Sequence, residues 1–196
     1  YPGERGGEAV AKVLFGEVNP SGKLPVTFYK STSDLPDFLD YTMKNRTYRY
    51  FKGEALFPFG HGLSYTSYEY GKPALKKVKN EERRVKNEER KVKNSSAYSL
   101  SFSLSNKGNR EGTEVAQVYI RRMDDAEGPI KTLKAFRRIT LKAGEKQQVT
   151  ISLPRQSFEG WDSRTNTMRV VPGKYQIFVG GSSAEAAKNV IEVKVK

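Results

Sequence analysis

Residues 98–106 read YSLSFSLSN, with Leu100, Phe102 and Leu104 separated by single serines. Successive side chains of a β-strand point to opposite faces, so this spacing puts apolar groups on one face and hydroxyls on the other. That is a half-buried strand. The pattern continues downstream. NKGN at 106–109 is turn chemistry, and TEVAQVYIRR at 113–122 is rich in the β-branched and aromatic residues that suit a pleat. TLKAFRRITL (132–141), the turn KAGE (142–145), KQQVTISL (146–153), MRVVPGKYQIFVGGSS (168–183) and NVIEVKVK (189–196) follow. Many short strands with glycine-bearing turns and little helix predict a mainly β fold, an antiparallel β-sandwich.

The N-terminal part reads differently. RGGEAVAKVLF at 5–15 places Ala9, Val10, Val13 and Leu14 at helical spacing, and Gly16 stands where a left-handed C-terminal cap belongs. NPSG at 19–22 is a turn, and KLPVTFY at 23–29 is a strand candidate that Pro25 confines to an edge or a strand start. One helix and one edge strand cannot make a domain. They read as the closing pieces of an α/β unit whose bulk lies upstream, and the opening YPGERGGEAV, without initiator Met or signal pattern, fits a piece of a longer protein. Residues 31–71 lack regular periodicity. With a strand ahead of residue 78 the sandwich count is about seven, as in an immunoglobulin-like fold.

Residues 78–94, VKNEERRVKNEERKVKN, are a tandem repeat of seven starting at Val78, Val85 and Val92. A coiled coil needs two apolar positions per heptad and this has one. As a strand, an odd period would send the valines to alternate faces. The reading is a solvated insertion, either a fraying helix or an extended arm.

The net charge is +13, but residues 1–71 hold 8 basic and 8 acidic side chains, so the excess lies beyond them. Groove-reading and base-stacking motifs are missing, so no nucleic-acid partner is expected. No apolar run is long enough for a membrane span. With no cysteine and a single histidine, His61, neither disulfides nor a metal site is expected. No cofactor is expected either, since no phosphate-cradling glycine loop with lysine occurs.

Carboxylates are the next test. Asp34, Asp37 and Asp40 recur at intervals of three, but Pro36 interrupts them and nothing there suggests the rigid pocket that a glycosidic acid–base pair needs. Trp161 in FEGWDS either stacks on a sugar or covers one end of the sandwich core, and the core reading is the expectation. YTMKNRTYRYF at 41–51 alternates cations and rings, so it either lines a polar substrate or docks a linker through cation–π contacts. Arg46, Tyr48 and Arg49 are the candidates there for lying near substrate.

YPGERGGEAVAKVLFGEVNPSGKLPVTFY, followed by NRTYRYFKGEALFPFGHGLSYTSYEY, resembles the C-terminal region of glycoside hydrolase family 3. NKGNREGTEVAQVYI, KAFRRITLKAGEKQQVTISL and VVPGKYQIFVGGSS resemble the fibronectin type III-like domain that closes many of those enzymes. MKNRTYRYF looks most like the β-xylosidase branch, although β-glucosidases share much of the pattern. The resemblance covers nearly all of the chain except 76–96.

It implies a retaining exo-acting β-glycosidase acting on oligosaccharides, with an Asp nucleophile on an N-terminal barrel and a Glu acid/base on a second α/β sandwich domain. Neither group maps onto a residue of this chain, so the segment by itself is expected to be inactive. The implied partners are those upstream domains, and the substrate class favours a secreted or periplasmic parent. The implied organisation is 1–30 as the end of the α/β sandwich domain, 31–72 as an aromatic-rich linker, and 73–196 as the fibronectin type III-like domain carrying the 78–94 repeat. Phe57, Phe59, Tyr65, Tyr68 and Tyr70 would clasp the linker to its neighbours. The alternative is a stand-alone β-sandwich module that binds polysaccharide or another anionic polymer.

Overall fold

A computed structural model describes residues 3–78 and 97–196, and the expectation for the repeat beyond Val78 falls outside them. In chain order the elements are α1 (Gly6–Leu14), β1 (Phe28–Tyr29), α2 (Thr47–Tyr50), β2 (Ala55–Phe57), β3 (Tyr68–Tyr70) and β4 (Ala74–Val78). Then come β5 (Ala97–Asn106), β6 (Gly112–Arg122), β7 (Thr132–Leu141), β8 (Lys146–Leu153), β9 (Glu159–Asp162), β10 (Thr167–Val170), β11 (Gly173–Gly180) and β12 (Val190–Val195).

Two antiparallel sheets face each other. In the first, β5 pairs with β8 on one side and with β3 and then β4 on the other. The second runs β12-β11-β6-β7. With β3 and β4 taken as one broken edge strand, this is the seven-strand sandwich that the alternation predicted. Leu100, Phe102 and Leu104 of β5 are fully buried, opposite Ala116, Val118, Ile120, Ile177 and Val179. The serines between them take the other face.

β6 departs from simple alternation. From Ala116 to Ile120 every residue is buried, because the outer face of the second sheet is also covered. Tyr119 and Phe178 on that face form a second, smaller cluster with Tyr48 and Phe59 of the linker and with Ala186. A strand covered on both sides loses its apolar–polar alternation, and AQVYI at 116–120 is apolar except for the buried amide of Gln117.

Several expected boundaries shift. The strand expected over 23–29 contracts to Phe28–Tyr29, which pairs with Phe57 and Ala55. Leu24 instead exchanges backbone hydrogen bonds with the linker, donating to the His61 carbonyl and accepting from Gly60 N–H, both at 2.8 Å. The segment 168–183 is broken at Pro172 into β10 and β11. The β9–β10 hairpin, in which Trp161 faces Met168 across the pair, was not foreseen.

Candidate functional site

Among the described residues no group of three or more His, Cys, Asp or Glu is placed to hold a metal, and no helix is long and apolar enough to cross a membrane. Two features remain: the junction where residues 3–66 meet the sandwich, and a cleft beside it.

The junction is built from short polar side chains and rings. Asn19 Nδ2 donates to the Glu111 carbonyl at 2.9 Å, while its Oδ1 accepts from Ser64 Oγ and Tyr65 N–H. Tyr65 O–H donates to the Val13 carbonyl at 2.7 Å, and the Arg110 guanidinium lies 5.5 Å above the same ring while donating to the Gly16 carbonyl. Phe59 stacks on Tyr48 at 4.1 Å, and both rings meet Tyr119 edge-on. Tyr70 packs on Phe102, and Phe57 lies edge-on to Phe28. Tyr68 packs against the sandwich core. The five linker rings therefore work as the clasp the sequence suggested.

A buried charge sits at the centre of this junction. Glu114, 4% exposed, accepts from Tyr70 O–H at 2.8 Å and from Lys23 Nζ at 3.3 Å. Burial, followed by the Glu114 charge, raises the Tyr70 phenol well above its ordinary value. Sequence reasoning missed Glu114, yet a signal existed. It is in phase with Ala116, Val118 and Ile120, so the alternation of β6 sends it to the covered face.

The named candidates are distributed as follows. Arg46 donates from Nε to the Thr42 carbonyl at 2.9 Å and from Nη2 to the Asp40 carbonyl, closing the 37–42 loop. The Tyr48 hydroxyl oxygen accepts from Leu133 N–H at 3.1 Å, so the hydroxyl and the ring both fasten the linker to β7 and β6. Arg49 holds its guanidinium 5.6 Å from the Tyr50 ring centre. The three aspartates serve local backbone: Asp34 caps Ser31, Asp37 accepts from Leu39 N–H, and Asp40 accepts from Thr42 N–H. The Thr42 hydrogen bonds hold the Asp40 carboxyl below its usual range. His61 packs against Phe57.

Arg49 lines a cleft of about 340 Å³ with Tyr50, Lys134, Glu127, Trp161 and Met168. Trp161 does not cover the core end as expected. Phe158, 2% exposed, fills that place between Tyr98 and Tyr175, which leaves the indole 56% exposed on β9. Beneath the hairpin Asp162 is buried, which pushes its carboxyl up. Arg164, through hydrogen bonds and charge, and Arg169, through its charge, outweigh that and hold it low.

The N-terminal segment also keeps an apolar face open. Leu14 and Phe15 of the first helical stretch are 73% and 84% exposed, and Phe38, Leu39 and Tyr41 are more than three-quarters exposed. Large apolar side chains left this exposed are surface that a docking partner would cover.

Fold and junction together define an immunoglobulin-like sandwich with residues 3–66 strapped to it, and comparison with known proteins gives its class. Residues 1–65 match the glycosyl hydrolase family 3 C-terminal domain, and residues 114–183 match the fibronectin type III-like domain. The chain belongs to glycoside hydrolase family 3, as its C-terminal region with the fibronectin type III-like domain. A xylan 1,4-beta-xylosidase of Xylanibacter ruminicola is 46% identical to it over 185 residues, covering 94% of this chain and 20% of that protein. The crystal structure of a beta-D-glucoside glucohydrolase from Trichoderma reesei aligns with a TM-score of 0.78 at 26% identity, covering 100% of this chain and 29% of that one. A beta-glucosidase from Kluyveromyces marxianus gives 0.79 at 30% identity, over 97% and 23% of the two chains. The chain thus spans 20% of the β-xylosidase and 27% of a probable beta-glucosidase D of Aspergillus flavus that it also matches.

Proposed function

We propose that this chain is the architectural C-terminal portion of a retaining, exo-acting β-glycosidase of the β-xylosidase type, whose catalytic Asp and Glu lie upstream of it. The open apolar face of α1 and of residues 38–43 carries the reading, because a helix with Leu14 and Phe15 in water needs a body to cover it. Residues 1–30 complete that body, 31–72 are the strap, and 73–196 are the sandwich, with β3 at the end of the strap already paired to β5. The Xylanibacter ruminicola relative supports xylose over glucose as the sugar released.

Arg46, Tyr48 and Arg49 belong to a segment that borders the substrate pocket in this proposal. Arg46 and Tyr48 act as positioning residues, since their polar groups are engaged by protein. In the intact polypeptide, Arg46→Ala should raise KM for an aryl β-xyloside with kcat nearly kept, and Arg46→Lys should restore part of it. The intact protein should also turn over aryl β-xyloside faster than aryl β-glucoside. A preference for the glucoside would overturn the xylosidase assignment, and unchanged kinetics in Arg46→Ala would remove this segment from the pocket.

A further inference from the structure

The cleft between the linker and the β9–β10 hairpin has the make-up of a sugar site. Its volume of about 340 Å³ falls within the range of small-ligand pockets, roughly 300–1,000 Å³. Trp161 and Met168 stand side by side on the hairpin, 56% and 59% exposed, and form one apolar wall. Arg49 and Tyr50 come from the linker opposite. Arg49 Nε is shielded from solvent and has no hydrogen-bond partner among the described residues. Lys134 Nζ, partly buried, donates to the Glu159 carbonyl at 3.0 Å, and neither cation makes an ion pair with a described residue. Burial, with the nearby Arg49 charge, lowers the Lys134 pKa, so an acceptor arriving here would be welcomed.

We propose that this cleft binds a neutral β-linked oligosaccharide, with one pyranose ring on the Trp161 indole and its hydroxyls on Arg49, Lys134 and Glu127. A sugar ring offers a C–H face to an aromatic plane and, at its edge, hydroxyls that both donate and accept. Arg49 and Lys134 can only donate and Glu127 can only accept, so such hydroxyls satisfy all three. A polyanion fits less well. The four cations of the lining, Arg49, Arg121, Arg122 and Lys134, are offset by Asp125, Glu127 and Glu159, and Arg122 already holds Asp125 at 2.6 Å. The β-linkage rests on the proposed function, whereas sugar binding itself needs only residues of this chain.

Trp161 is the single tryptophan of the sequence, so indole emission reports on this cleft alone. Titrating the 196-residue chain with xylohexaose or cellohexaose should give a saturable change in emission. Native electrophoresis through a gel containing neutral xylan should retard the chain. Trp161→Ala should weaken that retardation about tenfold, the loss of one ring contact, and Met168→Ala and Arg49→Gln should weaken it less. No emission change with either hexasaccharide overturns the proposal, as does undiminished retardation of Trp161→Ala. A response confined to polygalacturonate and abolished by salt also overturns it, in favour of a plain electrostatic surface. None of these readouts involves turnover, so they stand apart from the fate of the glycosidase reading.

Discussion

The carboxamide of Gln117 occupies the space that any side chain on Gly60 would need. A Cβ built at residue 60 would overlap it, and Gly60 also sits at φ +80°. Gln117 Nε2 donates to the Gly60 carbonyl at 3.2 Å and to the Gly181 carbonyl at 2.5 Å, and Tyr119 O–H donates to its Oε1. One buried amide thus joins the linker, the β11 end and the outer cluster. Gly60→Ala should destabilise the chain by about 2–4 kcal/mol, from left-handed strain plus lost amide bonds. Thermal melting checks this, and a shift within error would mean that the strap is not held at this point.

Glu114, Lys23 and Tyr70 fasten the same two bodies through charge. Removing the ammonium leaves a carboxylate that is 4% exposed with only Tyr70 to answer it. Lys23→Met should cost about 2–4 kcal/mol, and Lys23→Met with Glu114→Gln should recover much of it. Urea denaturation of both variants measures the coupling, and purely additive losses would argue against the pair.

Phe102 is the largest fully buried side chain of β5, 1% exposed in the inter-sheet core. Phe102→Ala should cost about 3–5 kcal/mol. Ser103→Ala, one residue along, should stay within about 1 kcal/mol if the alternation sets the energetics.

Alkaline pH should loosen the molecule. Burial raises the phenols of Tyr68, Tyr70, Tyr119 and Tyr175, so the folded state holds these protons more tightly than the unfolded chain. Their contribution is complete below the ordinary tyrosine value of about 10 and is lost as pH climbs from there toward the folded values. Lys131 and Lys134, lowered by burial, act with the opposite sign in a window that ends near the ordinary lysine value of about 10.5. Beyond it only the tyrosines count. Melting temperature should therefore fall above about pH 10, and less steeply in Tyr70→Phe measured against its own neutral-pH value. A flat profile to the limit of chemical stability would contradict the burial of these hydroxyls.

The sandwich was legible wherever one face met solvent. Serine alternation in β5 and the turns after Asn106 and Leu141 place strands to within a residue or two. The sequence was harder to read where neighbours override local preference. KLPVTFY has strand composition, but Leu24 gives its backbone bonds to His61 and Gly60, which no local pattern announces. Trp161 looked like a core cap because large rings usually are, yet Phe158 three residues earlier takes that place. The aromatic clasp was visible as composition, while its partners, Gln117, Tyr119 and Glu114, lie more than 40 residues away.

The central claim is architectural, and hydrolysis by the purified 196-residue chain alone tests it most directly. No release of aryl alcohol from aryl β-xyloside or aryl β-glucoside above buffer is the predicted result, with activity returning only when upstream sequence is present. Turnover that survives repurification would place a catalytic pair within these residues and contradict the account.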